Sequence, residues 1–138
     1  MDTKDLEKFV KNFVRVGVVS SVDEAAGTVK VTFEDRDNTV SADLPTISRG
    51  SLKNKDYWLP DINEEVVCIF MTNDKNLSTG WVLGTHFSDK APPNAASLEK
   101  RRFDFGDGTF FEYDRASHEL TINCVGNVNI KGENVYIN

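Results

Sequence analysis

Apolar residues recur with a helix's period over the first thirteen positions and with a strand's period over most of the rest. Leu6, Phe9, Val10 and Phe13 fall at i, i+3, i+4 and i+7, the stripe of an amphipathic helix over residues 3–13. Glu7 and Lys11 form an i, i+4 pair on its polar side, and Asp2 or Thr3 stands where an N-cap belongs. A helix this short is marginal by itself, so these four apolar residues are expected to dock onto another surface.

From Val14 the alternation is by twos. Val14, Val16 and Val18 alternate, as do Val29, Val31 and Phe33 after the turn at 23–27. A second turn at 34–38 leads to Val40, Ala42 and Leu44, and Pro45 closes that strand. A loop over 46–64 precedes the buried run Glu65–Met71, a polar turn at 72–79 and the strand Gly80–Gly84. Five short antiparallel strands with one long connection predict an OB-type five-stranded barrel over 14–88, a fold that removes its sheet edges by closure.

Residues 89–98 read as a linker, rich in Pro, Ala and Ser. Beyond it, 99–138 reads as one all-β unit of hairpins with Gly and Asp turns. It runs into a terminal ribbon in which Ile122, Cys124, Val128 and Ile130 alternate with polar residues. The phase slips at Gly132-Glu-Asn134, after which Val135 and Ile137 are the apolar positions, and a bend is expected there. A ribbon of about forty residues has too little core to offset its ordering entropy. Self-association around an axis would cover the apolar face, as in a trimeric intertwined β-helix or β-prism with these six residues packed on the axis.

Composition narrows the function. The 39% hydrophobic and 28% charged residues are those of a globular chain. No run approaches a membrane span, and the N-terminus lacks a signal-peptide layout, so synthesis in the cytoplasm is expected. A net charge of −6 argues against nucleic-acid binding, which needs a basic stripe. Lys53 with Lys55, and Lys100-Arg101-Arg102, read as solvated loops. Cys68, inside an apolar run, reads as a small core residue, and neither cysteine has metal-ligand neighbours.

His86 and His118 are isolated, and no nucleophile elbow or zinc-binding helix occurs. Asp104, Asp107, Glu112 and Asp114 resemble a carboxylate pair only superficially, since turn formation accounts for them more simply. No catalytic residue, cofactor or metal is expected. From the residues alone a second reading stays open, a monomeric OB-fold binding module for nucleic acid or glycan. Tyr57, Trp58 and Trp81 would be its aromatics, but their apolar contexts point to core packing instead.

A set of phrases in fixed order resembles one known family. They are Arg15-Val-Gly-Val-Val-Ser-Ser-Val22, Gly27-Thr-Val-Lys-Val-Thr-Phe33, Leu44-Pro45, Tyr57-Trp-Leu-Pro-Asp61, Glu65-Val-Val-Cys-Ile-Phe70 and Gly80-Trp-Val-Leu-Gly-Thr85. Asp107-Gly-Thr109, Glu112-Tyr-Asp114 and the Gly-punctuated ribbon follow. Together they resemble the phage baseplate assembly protein V family, the central spikes of contractile tails and related injection machines.

The resemblance implies a homotrimer with an N-terminal helix, an OB barrel and a C-terminal spike. Its implied partners are a tail hub or tube-initiator protein on the barrel side and baseplate wedge proteins, with membrane touched only on puncture. The chain would reside in the virion or tail-like particle. Three departures stand out: Asn63 where relatives often carry Gly, no lytic domain between barrel and spike, and no His-x-His pair near the C-terminus. The last leads to the expectation of a blunt end at Asn138 covered by a separate tip protein.

Overall fold

The structure, a computed structural model, describes residues 2–71 and 77–138. The polar turn expected at 72–79 therefore lies largely outside the described residues. The chain is mainly β, with one short N-terminal helix and antiparallel sheets, in two compact units, 1–86 and 87–138. The stretch read as a linker opens the second unit.

Helix α1 spans Thr3–Phe13, as its stripe predicts. Asp2 caps it: its backbone is extended, and its Oδ1 accepts the Asp5 N–H at 2.8 Å. The helix stops where β-branched valines begin, and Val14 is already extended at φ −124° and ψ 127°. Strand β1 (Val14–Asp23) therefore follows with no intervening turn.

The first sheet contains β1, β2 (Thr28–Phe33), β3 (Thr39–Val40), β4 (Leu44–Pro45), β5 (Glu65–Phe70) and β6 (Gly80–Gly84). Its order is β3-β2-β1-β5-β6, with β4 also paired to β2. Past β4 the chain reaches β6: Thr46 bridges Val82 in parallel, and the Ile47 N–H donates to the Val82 carbonyl at 2.9 Å. Sequence alternation suggested one strand from Val40 to Pro45, whereas two short pieces form. Buried Ser41 divides them, its hydroxyl accepting the Val31 N–H at 3.0 Å and donating to the Ala42 carbonyl at 2.7 Å.

The core is Val19, Val29, Val31, Phe33, Leu44, Val66, Cys68, Phe70, Leu77 and Val82, with Phe33 edge-on to Phe70 at 5.8 Å. Burial pushes the Cys68 thiol up to about 12, so it stays protonated and packs as a small apolar group. The alternating valines of β1 face away from this core, with Val14 51% and Val16 47% exposed. Arg15, Gly17 and Val19 point inward instead. Gly17 holds that phase because the space beside it is full: a Cβ there would lie 2.5 Å from Val31 Cγ1 and 2.8 Å from Phe33. Arg15 lays its guanidinium over the Phe33 ring at 4.3 Å and reaches the Asp35 carboxylate at 2.9 Å. A bulge between Val19 and Ser21 then shifts the register and packs Val22 against the core.

The loop 46–64 corrects the reading of Tyr57 and Trp58 as core residues. Tyr57 is 73% exposed. Its hydroxyl donates to the Glu24 carbonyl at 2.9 Å, and Trp58 Nε1 donates to the Ile47 carbonyl at 3.1 Å. Their polar tips pin the loop while the rings stay near the surface. Asn63 sits at φ +75°, the left-handed region that a glycine in this turn would take without cost, and donates its N–H to the Val19 carbonyl at 2.8 Å.

Gly17→Ala forces a methyl into packed Val31 and Phe33 and should lower stability by about 1–3 kcal/mol. Gly106, with nothing within 4 Å of an added Cβ, is the control. Its alanine variant should stay within about 0.5 kcal/mol in denaturant titration.

Candidate functional site

Three strands make the second sheet: β7 (Lys100–Asp104), β8 (Phe110–Asp114) and β9 (Glu119–Asn123), in that order and antiparallel. Period-two alternation gives the sheet two unlike faces. Lys100-Arg101-Arg102 lies on β7, not in a loop as the charge run suggested. On one face Arg102 sits over the Phe110 ring at 3.7 Å and pairs with Asp104 at 3.1 Å and Glu112 at 3.4 Å. Lys100 adds a longer contact to Glu112 at 3.9 Å. That face is closed by its own ion pairs.

The other face is open and apolar apart from Arg101 on the edge strand. Register aligns Phe103 with Phe111 and Ile122 in one row, and Arg101 with Tyr113 and Leu120 in the next. Phe103 stacks on Phe111 at 4.8 Å, and Phe105 leans on Phe111 at 6.2 Å. Yet Phe103, Phe105, Phe111, Tyr113, Leu120 and Ile122 are between 39% and 66% exposed. No residue of this sheet is buried. A sheet with one hydrophobic face must bury that face against another element.

Past β9 the chain runs on through residues 124–138, which form no ladder with the described strands. Cys124 is half-buried, its Sγ lying 3.6 Å from the Asn127 carbonyl oxygen. Val128, Ile130, Val135 and Ile137 are 56%, 70%, 53% and 91% exposed. Bends fall at 125–126 and at 133–134, the second where the apolar phase slips. Ordering each such residue costs about 1–2 kcal/mol of backbone entropy, which a ribbon without ladder partners does not recover.

Of the six expected axis residues, only Ile122 is brought against an aromatic of the sheet. The sequence reading missed Phe103, Phe111, Tyr113 and Leu120 as members of the same face. Their alternation was visible, but adjacent Phe110 and Phe111 point to opposite faces, and only the register separates them. Of the four helix residues, Phe9 is half-buried and the other three are exposed. Phe9 and Phe13 touch at 5.7 Å, but Leu6, Val10 and Phe13 are 45–64% exposed.

The carboxylates imagined as an acid–base pair are engaged in turns and ion pairs. Asp107 Oδ1 accepts the Thr109 N–H at 2.9 Å, and Asp114 Oδ1 accepts those of Ala116 at 2.9 Å and Ser117 at 3.4 Å. Asp104 is held by Arg102 and Asn94. His118 takes a left-handed turn position at φ +62°, and His86 Nε2 lies 2.9 Å from Glu65 Oε1. Among the described residues, no group of His, Cys, Asp or Glu is placed to hold a metal, and no helix is long and apolar enough to cross a membrane. No known protein family matches the chain, and no curated protein matches it.

These hydrogen bonds hold the carboxyls of Asp104, Asp107 and Asp114 below their usual range, chiefly through Arg102, Thr109 and Ala116 respectively. A carboxyl depressed on folding stabilises above its unfolded value, about 3.9, and loses that contribution as pH falls through the folded value. The second sheet should therefore hold constant stability from neutral pH to about pH 5 and weaken steadily below about pH 4. Thermal melts across pH 3–7 check this, and Asp114→Asn should flatten the acid limb.

Proposed function

We propose that the chain is the structural central spike of a contractile-tail baseplate, a homotrimer that caps the tail tube and leads puncture of the target envelope. The open apolar face of β7–β8–β9, followed in the chain by 124–138, carries this reading. In the trimer, three copies turn Phe103, Phe111, Tyr113, Leu120 and Ile122 inward, followed by Cys124, Val128, Ile130, Val135 and Ile137. Their ribbons wind into an intertwined β-prism, and each chain supplies the ladder partners its neighbours lack.

The first unit is read as an OB-type five-stranded barrel. The Thr46–Val82 bridge supports this, linking the continuation of β4 to β6 around the core. The ordered phrases shared with the baseplate spike family support the same reading. The barrel side seats on a hub or tube-initiator protein, and a separate tip protein meets the C-terminal ribbon. The role is mechanical, without catalysis, cofactor or nucleic acid, in a virion or tail-like particle. A trimer suits the task because no chain can leave without breaking many ladder hydrogen bonds at once.

Light scattering separates this reading from a monomeric binding module. The expected mass is about three times 15.5 kDa, and a mass of 15.5 kDa overturns the trimer. Ile130→Glu buries a carboxylate on the axis and should leave a monomer whose barrel still unfolds cooperatively. An unchanged trimer of unchanged stability would show that Ile130 faces outward. Gold label on the chain should mark the distal end of purified tails, and label absent from tails refutes the assignment.

A further inference from the structure

Among its described residues the first unit carries uncovered apolar surfaces of its own, and two of them lie on its helix and its sheet. One is the helix stripe, with Leu6, Val10 and Phe13 exposed. The other is the side of the sheet turned away from the core. There Val14 lies opposite Ile69 and Ile69 opposite Trp81, while Val16 lies opposite Val67. Leu83 extends the patch along β6. Val14, Val16 and Leu83 are 44–51% exposed, and the other three are half-buried.

Helix α1 meets β1 and β5 of its own chain at its base, yet most of its stripe and much of this face stay exposed. Phe13 ends α1, and Val14 is both its C-cap and the first residue of β1, with extended backbone. Folding the helix back over β1 would need a reversing turn, and there is no residue to make one. Asn12, buried at 7% exposure, leaves its Oδ1 without a hydrogen-bond partner among the described residues, so the helix base is also unfinished.

A closed three-fold ring needs two different patches per subunit, each meeting the other kind on the next copy. This unit has one helical and one sheet patch, of matching size. An eleven-residue helix is about 16 Å long and 10 Å wide. Three strands about 4.8 Å apart present a face of similar width. We infer that the α1 stripe of one copy packs across the outer face of β1, β5 and β6 of the next copy, making a second ring-shaped clamp in the first unit. This rests on the trimer reading, in which the second unit holds three first units at high effective concentration.

The test uses the full chain with Cys124→Ser, which leaves only buried Cys68. Val10→Cys is combined in turn with Val16→Cys and with Leu83→Cys, and each pair is mildly oxidised. Covalent dimers and trimers on a non-reducing gel, absent from every single-cysteine variant, are expected from at least one pair. In the same background, the Val10→Cys thiol should react at least about tenfold more slowly in the trimer than in an Ile130→Glu monomer. A trimeric mass in which neither pair links overturns this inference and leaves the spike reading intact. A monomeric mass removes both.

Discussion

An extended backbone must find a partner for every N–H and C=O it takes out of water, and an amphipathic sheet must find a cover for its apolar face. The second unit meets neither condition alone. Its outer face is finished by Arg102, Glu112 and Asp104, while Phe103, Phe111, Tyr113, Leu120 and Ile122 stand open to solvent. The last fifteen residues leave β9 with none of the described strands beside them. The asymmetry is the informative part: the acidic side chains keep to one face, and the large apolar ones, with Arg101, to the other.

The first unit solves the same problem internally. Its ladder runs from β3 through β2, β1 and β5 to β6, and the residues after β4 bridge β6, so little edge is left unpaired. Phe33, Phe70 and the valines fill the interior, and Gly17 and Gly80 let strands close on aromatic rings where a methyl would collide. What this unit leaves open is on its outside. In the proposed spike both units depend on assembly, the second for its fold and the first for its outer surface.

Much of the fold was legible because it rests on local signals. The helix was fixed by four apolar residues at helical spacing and by an Asp cap, and the strands by alternation between Gly and Asp turns. What escaped the sequence depends on contacts distant along the chain. Alternation marked β1 as a strand without saying which side faces the core; the core took Arg15, Gly17 and Val19, and Val31 and Phe33 from β2 leave no room for a side chain at Gly17. Tyr57 and Trp58 read as core by their apolar neighbours, yet they serve as loop pins through their polar tips. Alternation in the sequence could not tell which of Phe110 and Phe111 joins the apolar face of the sheet. The Arg102 guanidinium settles that by claiming Phe110.

The most direct measurement is amide hydrogen exchange across residues 124–138 in the full chain, at high and at low protein concentration. If sister ribbons supply the missing ladder, these amides exchange at least about a hundredfold more slowly than in an unstructured peptide. They should lose that protection together when the trimer is dissociated. Exchange at the unstructured rate at every concentration, in a chain whose first unit is fully protected, would contradict the intertwined spike.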